Sequence, residues 1–160
     1  MLVYDFIRVP LPIARVRHRL LAAVNGLWQH VAEAAYDEGE DLLGRVGPFG
    51  PVPGLSKAVS MRVGNARDRG EGFVIPLQWS ATGPTELFPV MLADLEITPL
   101  GADESQLRLS GSYDPPLGPI GRQLDRLLLH QLAEATVRAL LGQLVAALLK
   151  DPASQRGPGL

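Results

Sequence analysis

The chain contains no cysteine, which removes disulfides, thiolate metal sites and a cysteine nucleophile from consideration. Lysine is nearly missing too: only Lys57 and Lys150 occur, and arginine carries the rest of the positive charge. With 15 basic against 17 acidic residues the net charge is -2, so the basic excess that a general nucleic-acid binder needs to neutralise phosphates is lacking. No apolar run approaches the ~18 residues that span a bilayer. The segment from Met1 to Pro12 places Asp5 and Arg8 among its apolar residues, unlike a secretory signal with a cationic start and a long apolar stretch. Neither a nucleic-acid partner nor stable membrane insertion is expected, and the cytoplasm is the default location. Motifs of the HExxH, GxSxG and Walker type do not occur, and so no catalytic residue, cofactor or metal is assigned.

What is present suits one globular domain. A chain of 160 residues with 46% hydrophobic and 20% charged residues can bury roughly 68–70% of the surface its unfolded form exposes. Residues 1–150 are expected to form that domain, and the polar stretch 151-DPASQRGPGL a frayed tail. Residues 2–9, LVYDFIRV, read as a strand ended by Pro10. From Ile13 to about Tyr36, helical periodicity gathers Ile13, Val16, Leu20, Val24, Leu27, Val31 and Ala34 on one face, with a weak point at Asn25-Gly26. The Gly/Pro-rich segment 44–54 excludes helix and central strand, and by position and composition it is a candidate gate.

The pattern then changes to period two. Runs at 57–64, 72–80, 87–98 and 106–113 read as strands separated by polar breaks such as 65-NARDRGEG and 101-GADES, and connections this short favour antiparallel neighbours. Leu107, Leu109, Gly111 and Tyr113 share one face. Leu77 with Trp79, and Met91, Ala93, Leu95 with Ile97, are placed on that same inner side. After 114-DPPLGP a helix of about 30 residues is predicted, reaching Lys150. Strand, helix, four strands and a long helix make an α+β architecture with the last helix covering the sheet.

On the long helix Arg122, Arg126, His130, Glu134 and Arg138 form a polar stripe. The opposite side, Leu124, Leu128, Leu132, Ala135, Ala139, Gly142 and Ala146, is expected to face the sheet. Its small second half either leaves room for an apolar cavity or lets the helix lie close. Val137, Leu140, Leu141, Leu144 and Leu148 make an apolar stripe that needs cover from the first helix, the Gly/Pro loop or a second copy of the chain. A homodimer through Val137, Leu141, Leu144 and Leu148 is thus left open.

Chemistry-bearing residues are scattered. His18 and His30 read as solvated; His130 with Glu134, at i and i+4 and flanked by arginines, reads as a surface ion-pair row rather than a metal site. Asp94 and Glu96 are two apart on a strand and face solvent if Leu95 and Ile97 face inward. Arg15, Arg17 and Arg19 spread around their helix and make a weak candidate for a charged binding face.

The segments LQWSATGPTELFPVMLADLEITPLG and GSYDPPLGPIGRQLDRLLLHQLAEATVRALLGQLVAAL, with the order of elements, resemble the START-like or SRPBCC superfamily of polyketide cyclases/dehydrases and lipid-transport proteins. The likeness covers most of residues 2–149. It implies a helix-grip fold: a curved antiparallel sheet wrapped around a long C-terminal helix, with a deep apolar cavity between them. Six or seven strands are common in that superfamily and five are clear here, so either a strand hides in 40–56 or the sheet is trimmed. The resemblance implies binding or carriage of a hydrophobic, lipid- or polyketide-like molecule, with Met61, Leu77, Trp79, Met91, Leu95, Leu109, Tyr113, Leu128 and Leu132 as its contacts and Tyr113 as the polar handle. The alternatives are a cyclase-like enzyme, with Tyr113 and Gln78 orienting an enolisable substrate, and a non-catalytic dimeric interaction module.

Overall fold

The computed structural model describes residues 2–22, 28, 31, 58–82, 90–113 and 126–150. Strand β1 (Leu2–Val9) leads into helix α1 (Ile13–Ala22); then come β2 (Ala58–Val63), β3 (Arg67–Arg69), β4 (Gly72–Thr82), β5 (Met91–Pro99), β6 (Ser105–Tyr113) and helix α2 (Arg126–Leu149). The strands form a six-stranded sheet in the order β1-β6-β5-β4-β2, with β3 paired to β4, and every pairing is antiparallel. The architecture is α+β, a curved antiparallel sheet with a long C-terminal helix, as the order of elements predicts.

A strand beyond the five expected lies in the polar break at 65–72; the segment 40–56 lies outside the described residues. Arg67, Asp68 and Arg69 pair with Val74, Phe73 and Gly72 around a turn in which Gly70 takes a φ of 59°, a left-handed conformation that costs glycine little. All three residues are exposed. A strand with no buried side has no apolar period to betray it.

Period-two patterning sets the two faces of the sheet. Phe73, Ile75 and Leu77 of β4, Met91, Leu95 and Ile97 of β5, and Leu107 and Leu109 of β6 are buried on the inner face, while Gln78, Leu92, Arg108, Ser110 and Ser112 point outward. Gly111 sits on an inner row opposite Ala93. A Cβ there would come within 2.8 Å of the Ala93 Cβ and 2.9 Å of the Leu92 carbonyl oxygen, so the two strands approach each other as only glycine allows.

The two helices close one end of the inner face. Val16 and Leu20 of α1 are buried, as the helical period predicts, and so are Val31 and Trp28. Arg17 lies over the ring of Phe73 at 5.1 Å and pairs with Asp68 at 2.7 Å. The Arg19 guanidinium donates to the carbonyl of Leu148, one of the last carbonyls of α2, which lack partners within the helix. The arginine cluster of α1 is therefore spent in part on internal contacts. At the β1–α1 corner the buried Ser105 hydroxyl donates to the Leu11 carbonyl at 2.7 Å.

The rotational setting of α2 differs from the expected one. Ala133, Val137, Leu140, Leu141, Leu144 and Leu148 are buried in the core, whereas Gly142 and Ala146, expected to face the sheet, are exposed. Four residues advance only about 40° around a helix, so Gly142 and Ala146 continue the row of Arg138 toward solvent instead of lying opposite it. The stripe offered as a dimer surface is thus the seam of the monomer core: Val137, Leu141, Leu144 and Leu148 are each at most 1% exposed and are unavailable to a second copy. Among the described residues no helix is long and apolar enough to cross a membrane.

Candidate functional site

Backbone register gathers the expected ligand contacts on the strands into transverse rows of the sheet. Met61 pairs with Trp79, Trp79 with Met91, and Met91 with Tyr113, so four of them form one transverse row. The next row holds Val63, Leu77, Ala93, Gly111 and Val3; the one after it includes Ile75, Leu95, Leu109 and Asp5. The side chains of Trp79, Tyr113, Leu128 and Leu132 lie outside the described residues; the backbones of the last two belong to the N-terminal half of α2.

Burial changes along these rows. At the end closed by α1, Phe73, Ile97 and Leu107 are 0% exposed, and Leu95 and Leu109 in mid-face equally so. Leu95 and Leu109 are therefore packed into the solid part of the core. Toward the other end Leu77 and Met91 are buried, Met61 is only partly buried, and Val63 is 39% exposed. Apolar side chains on the β2 side of the sheet are left incompletely covered.

Helix α2 crosses this gradient. From Leu148, bonded to Arg19, it passes Arg138, whose Nε lies 3.3 Å from an Asp5 carboxylate oxygen. Asp5 stands on the inner side of β1, three residues along from Leu2 and four from Val9, so the helix climbs from the Val9 end of β1 toward the Leu2 end. His130, about 12 Å further along the axis, is thereby placed toward the end that carries the Met61–Tyr113 row. Its Nε2 lies 3.2 Å from Glu134 Oε1, as the i, i+4 spacing predicts. Its Nδ1 is buried and has no hydrogen-bond partner among the described residues, a feature the spacing does not signal.

The outer face contradicts one expected role and supports another. Gln78 is exposed there, in register with Leu92 and Arg62, and cannot orient a substrate on the inner side. Asp94 and Glu96 also face outward; Glu96 is held by Arg108 at 3.1 Å and by Arg69 at 3.9 Å, so the pair is not set up as a shared acid and base. An open groove of about 690 Å³ crosses this face between Tyr4, Ser110, Asp94, Leu92, Gln78 and Arg62. Among the described residues no group of three or more His, Cys, Asp or Glu could hold a metal.

No family model matches the chain, and neither does any curated protein. Solved structures do. A conserved protein from Geobacillus kaustophilus superposes with a TM-score of 0.52 at 11% identity, covering 91% of this chain and 93% of that one. Truncated norcoclaurine synthase from Thalictrum flavum gives 0.50 at 14% identity, with 94% of each chain covered. The fold is the helix grip that these structures share. The Zhui aromatase/cyclase of Streptomyces sp. R1128 superposes more loosely, at 0.44 and 14% identity over 92% of this chain and 93% of that one, too loosely to carry its chemistry across.

Proposed function

We propose that the protein binds a hydrophobic small molecule, lipid- or polyketide-like, between the sheet and the N-terminal half of α2, and holds or carries it there. The observation behind this reading is the burial gradient of the inner face. One end is packed to zero exposure around Phe73, Ile97 and Leu107, while Met61 and Val63 on the β2 side keep accessible apolar surface. Apolar surface facing inward yet uncovered gains about 25 cal/mol per Å² when a ligand removes it from water. Met61, Leu77, Trp79, Met91, Tyr113, Leu128 and Leu132 are the contacts assigned to this space, with Leu95 and Leu109 forming its solid floor.

The outer groove is the rival site, and a paired substitution separates the two. N-phenyl-1-naphthylamine, a neutral fluorescent apolar probe, is titrated into wild type, Met61→Asp and Leu92→Asp, with thermal melts confirming that each is folded. A charge at Met61 is expected to weaken binding about tenfold or more, given the cost of desolvating a carboxylate, and a charge at the exposed Leu92 to leave it unchanged. Weakening by Leu92→Asp alone would move the site to the outer face.

A further inference from the structure

Strand β1 ends the sheet on one side, with β6 as its single strand neighbour among the described residues. An edge of this kind offers unpaired N–H and C=O groups to another chain. Which residues offer them follows from a bond on the far side of the sheet. Gly64 N–H donates to the Pro76 carbonyl at 2.8 Å, and main-chain groups alternate sides along each antiparallel strand. Carried through the pairs Leu77–Ala93, Asp94–Ser110 and Gly111–Val3, that alternation turns the groups of Val3, Asp5 and Ile7 toward β6. Those of Tyr4, Phe6 and Arg8 face the open edge. The side chains of Leu2, Tyr4 and Phe6 form an apolar row beside it, each half exposed or more. One group interrupts the edge. Asp5 Oδ1 accepts the Phe6 N–H at 2.8 Å, while Asp5 Oδ2 takes Arg138 Nε at 3.3 Å. The carboxylate thus covers a central donor of the edge and is held there from α2.

We propose that β1 is a self-pairing edge, matched to a second copy of this chain, and that Asp5 keeps it closed. A two-fold axis at Phe6 sets Phe6 against Phe6, and Tyr4 against Arg8 of the second copy, as hydrogen-bonded pairs on the outer face. Arg8 is exposed and has no ion pair among the described residues. Tyr4 already receives one guanidinium, that of Arg108, 5.8 Å from its ring centre, so the pairing brings a cation to a ring that takes cations. An axis at Asp5 would set two carboxylates directly opposite, and one at Ile7 would set Tyr4 against Pro10, which has no N–H. With the axis at Phe6 the two Asp5 residues are still diagonal neighbours, about 7–8 Å apart, and each carboxylate occupies an N–H that the pairing needs. An inward-pointing charge on an edge strand blocks association in this way.

Sedimentation velocity of wild type and Asp5→Ala over a series of protein concentrations tests this, with circular dichroism showing that each is folded. Wild type is expected to be monomeric throughout and Asp5→Ala to shift to a dimer. Asp5→Thr, a better strand former without the charge, should behave alike, so that a misfolded Asp5→Ala leaves the test standing. Because the chain has no cysteine, single cysteines in the Asp5→Ala background report the register. Phe6→Cys lies across the axis from its own copy at a Cα separation of about 5.5 Å, within disulfide reach, and should oxidise to a covalent dimer. Tyr4→Cys, displaced from its own copy by about 13 Å along the strand, should not. A wild type that is already dimeric contradicts the role given to Asp5. Folded Asp5 variants that stay monomeric, or equal cross-linking at the two cysteines, contradict the edge.

Discussion

Arg19 of α1 donates its guanidinium hydrogen bond to the main-chain carbonyl of Leu148 in the last turn of α2, so the two helices are locked together at the closed end of the grip. The contact joins residues 129 positions apart in the chain and places a cation where the helix dipole is negative. It makes the packed end of the inner face a single unit, against which the other end can remain open.

Replacing that guanidinium should be felt globally. Arg19→Met keeps the apolar stem and removes the charge and the donors, leaving the Leu148 carbonyl without this partner. A loss of about 1.5 kcal/mol is expected, the low end for a hydrogen bond to a charged group. Urea denaturation followed by circular dichroism measures it, and an unchanged midpoint would show that the contact adds nothing.

The apolar stripe of α2 is a core seam and should behave as one. Leu144→Ala, at a position that is 0% exposed, is expected to cost about 3 kcal/mol, within the range for deleting a buried leucine side chain. The loss relative to wild type should be the same at every protein concentration. A loss that shrinks as protein concentration rises would instead mark the seam as an interface between copies.

Two glycines should respond with opposite sign. Gly142 is exposed in mid-helix and an added Cβ meets nothing within 4 Å, so Gly142→Ala should stabilise by about 1 kcal/mol through helix propensity. At Gly111 the same methyl group collides with Ala93 and the Leu92 carbonyl, so Gly111→Ala should destabilise by about 1–3 kcal/mol. Thermal melts of the two variants side by side decide both signs.

Much of the fold could be read from residues, because period two and period 3.6 each imprint a buried face. Leu107, Leu109 and Gly111 fell on one side of β6, and Val16 and Leu20 on one side of α1, as their spacing requires. The misses have a common cause. Strand β3 has no buried residue, so alternation was silent over Arg67–Arg69. On α2 a row of charges every four residues reads as a straight line but winds about 40° per step, so Gly142 and Ala146, which that line would place against the sheet, follow Arg138 to solvent. For the site, the row Met61, Trp79, Met91 and Tyr113 is a matter of backbone register between strands, which period-two patterning within each strand does not contain. The partner of Asp5 and the orientation of the His130 ring needed the helix laid against β1, which no local pattern contains.

Native mass spectrometry of the purified protein shows whether an apolar molecule occupies the space between the sheet and α2. The expected result is a species heavier than the bare chain by one small molecule, which denaturing extraction releases and identifies as apolar. A chain that stays at its bare mass after incubation with 2-naphthol, 2-methoxynaphthalene and N-phenyl-1-naphthylamine would contradict it.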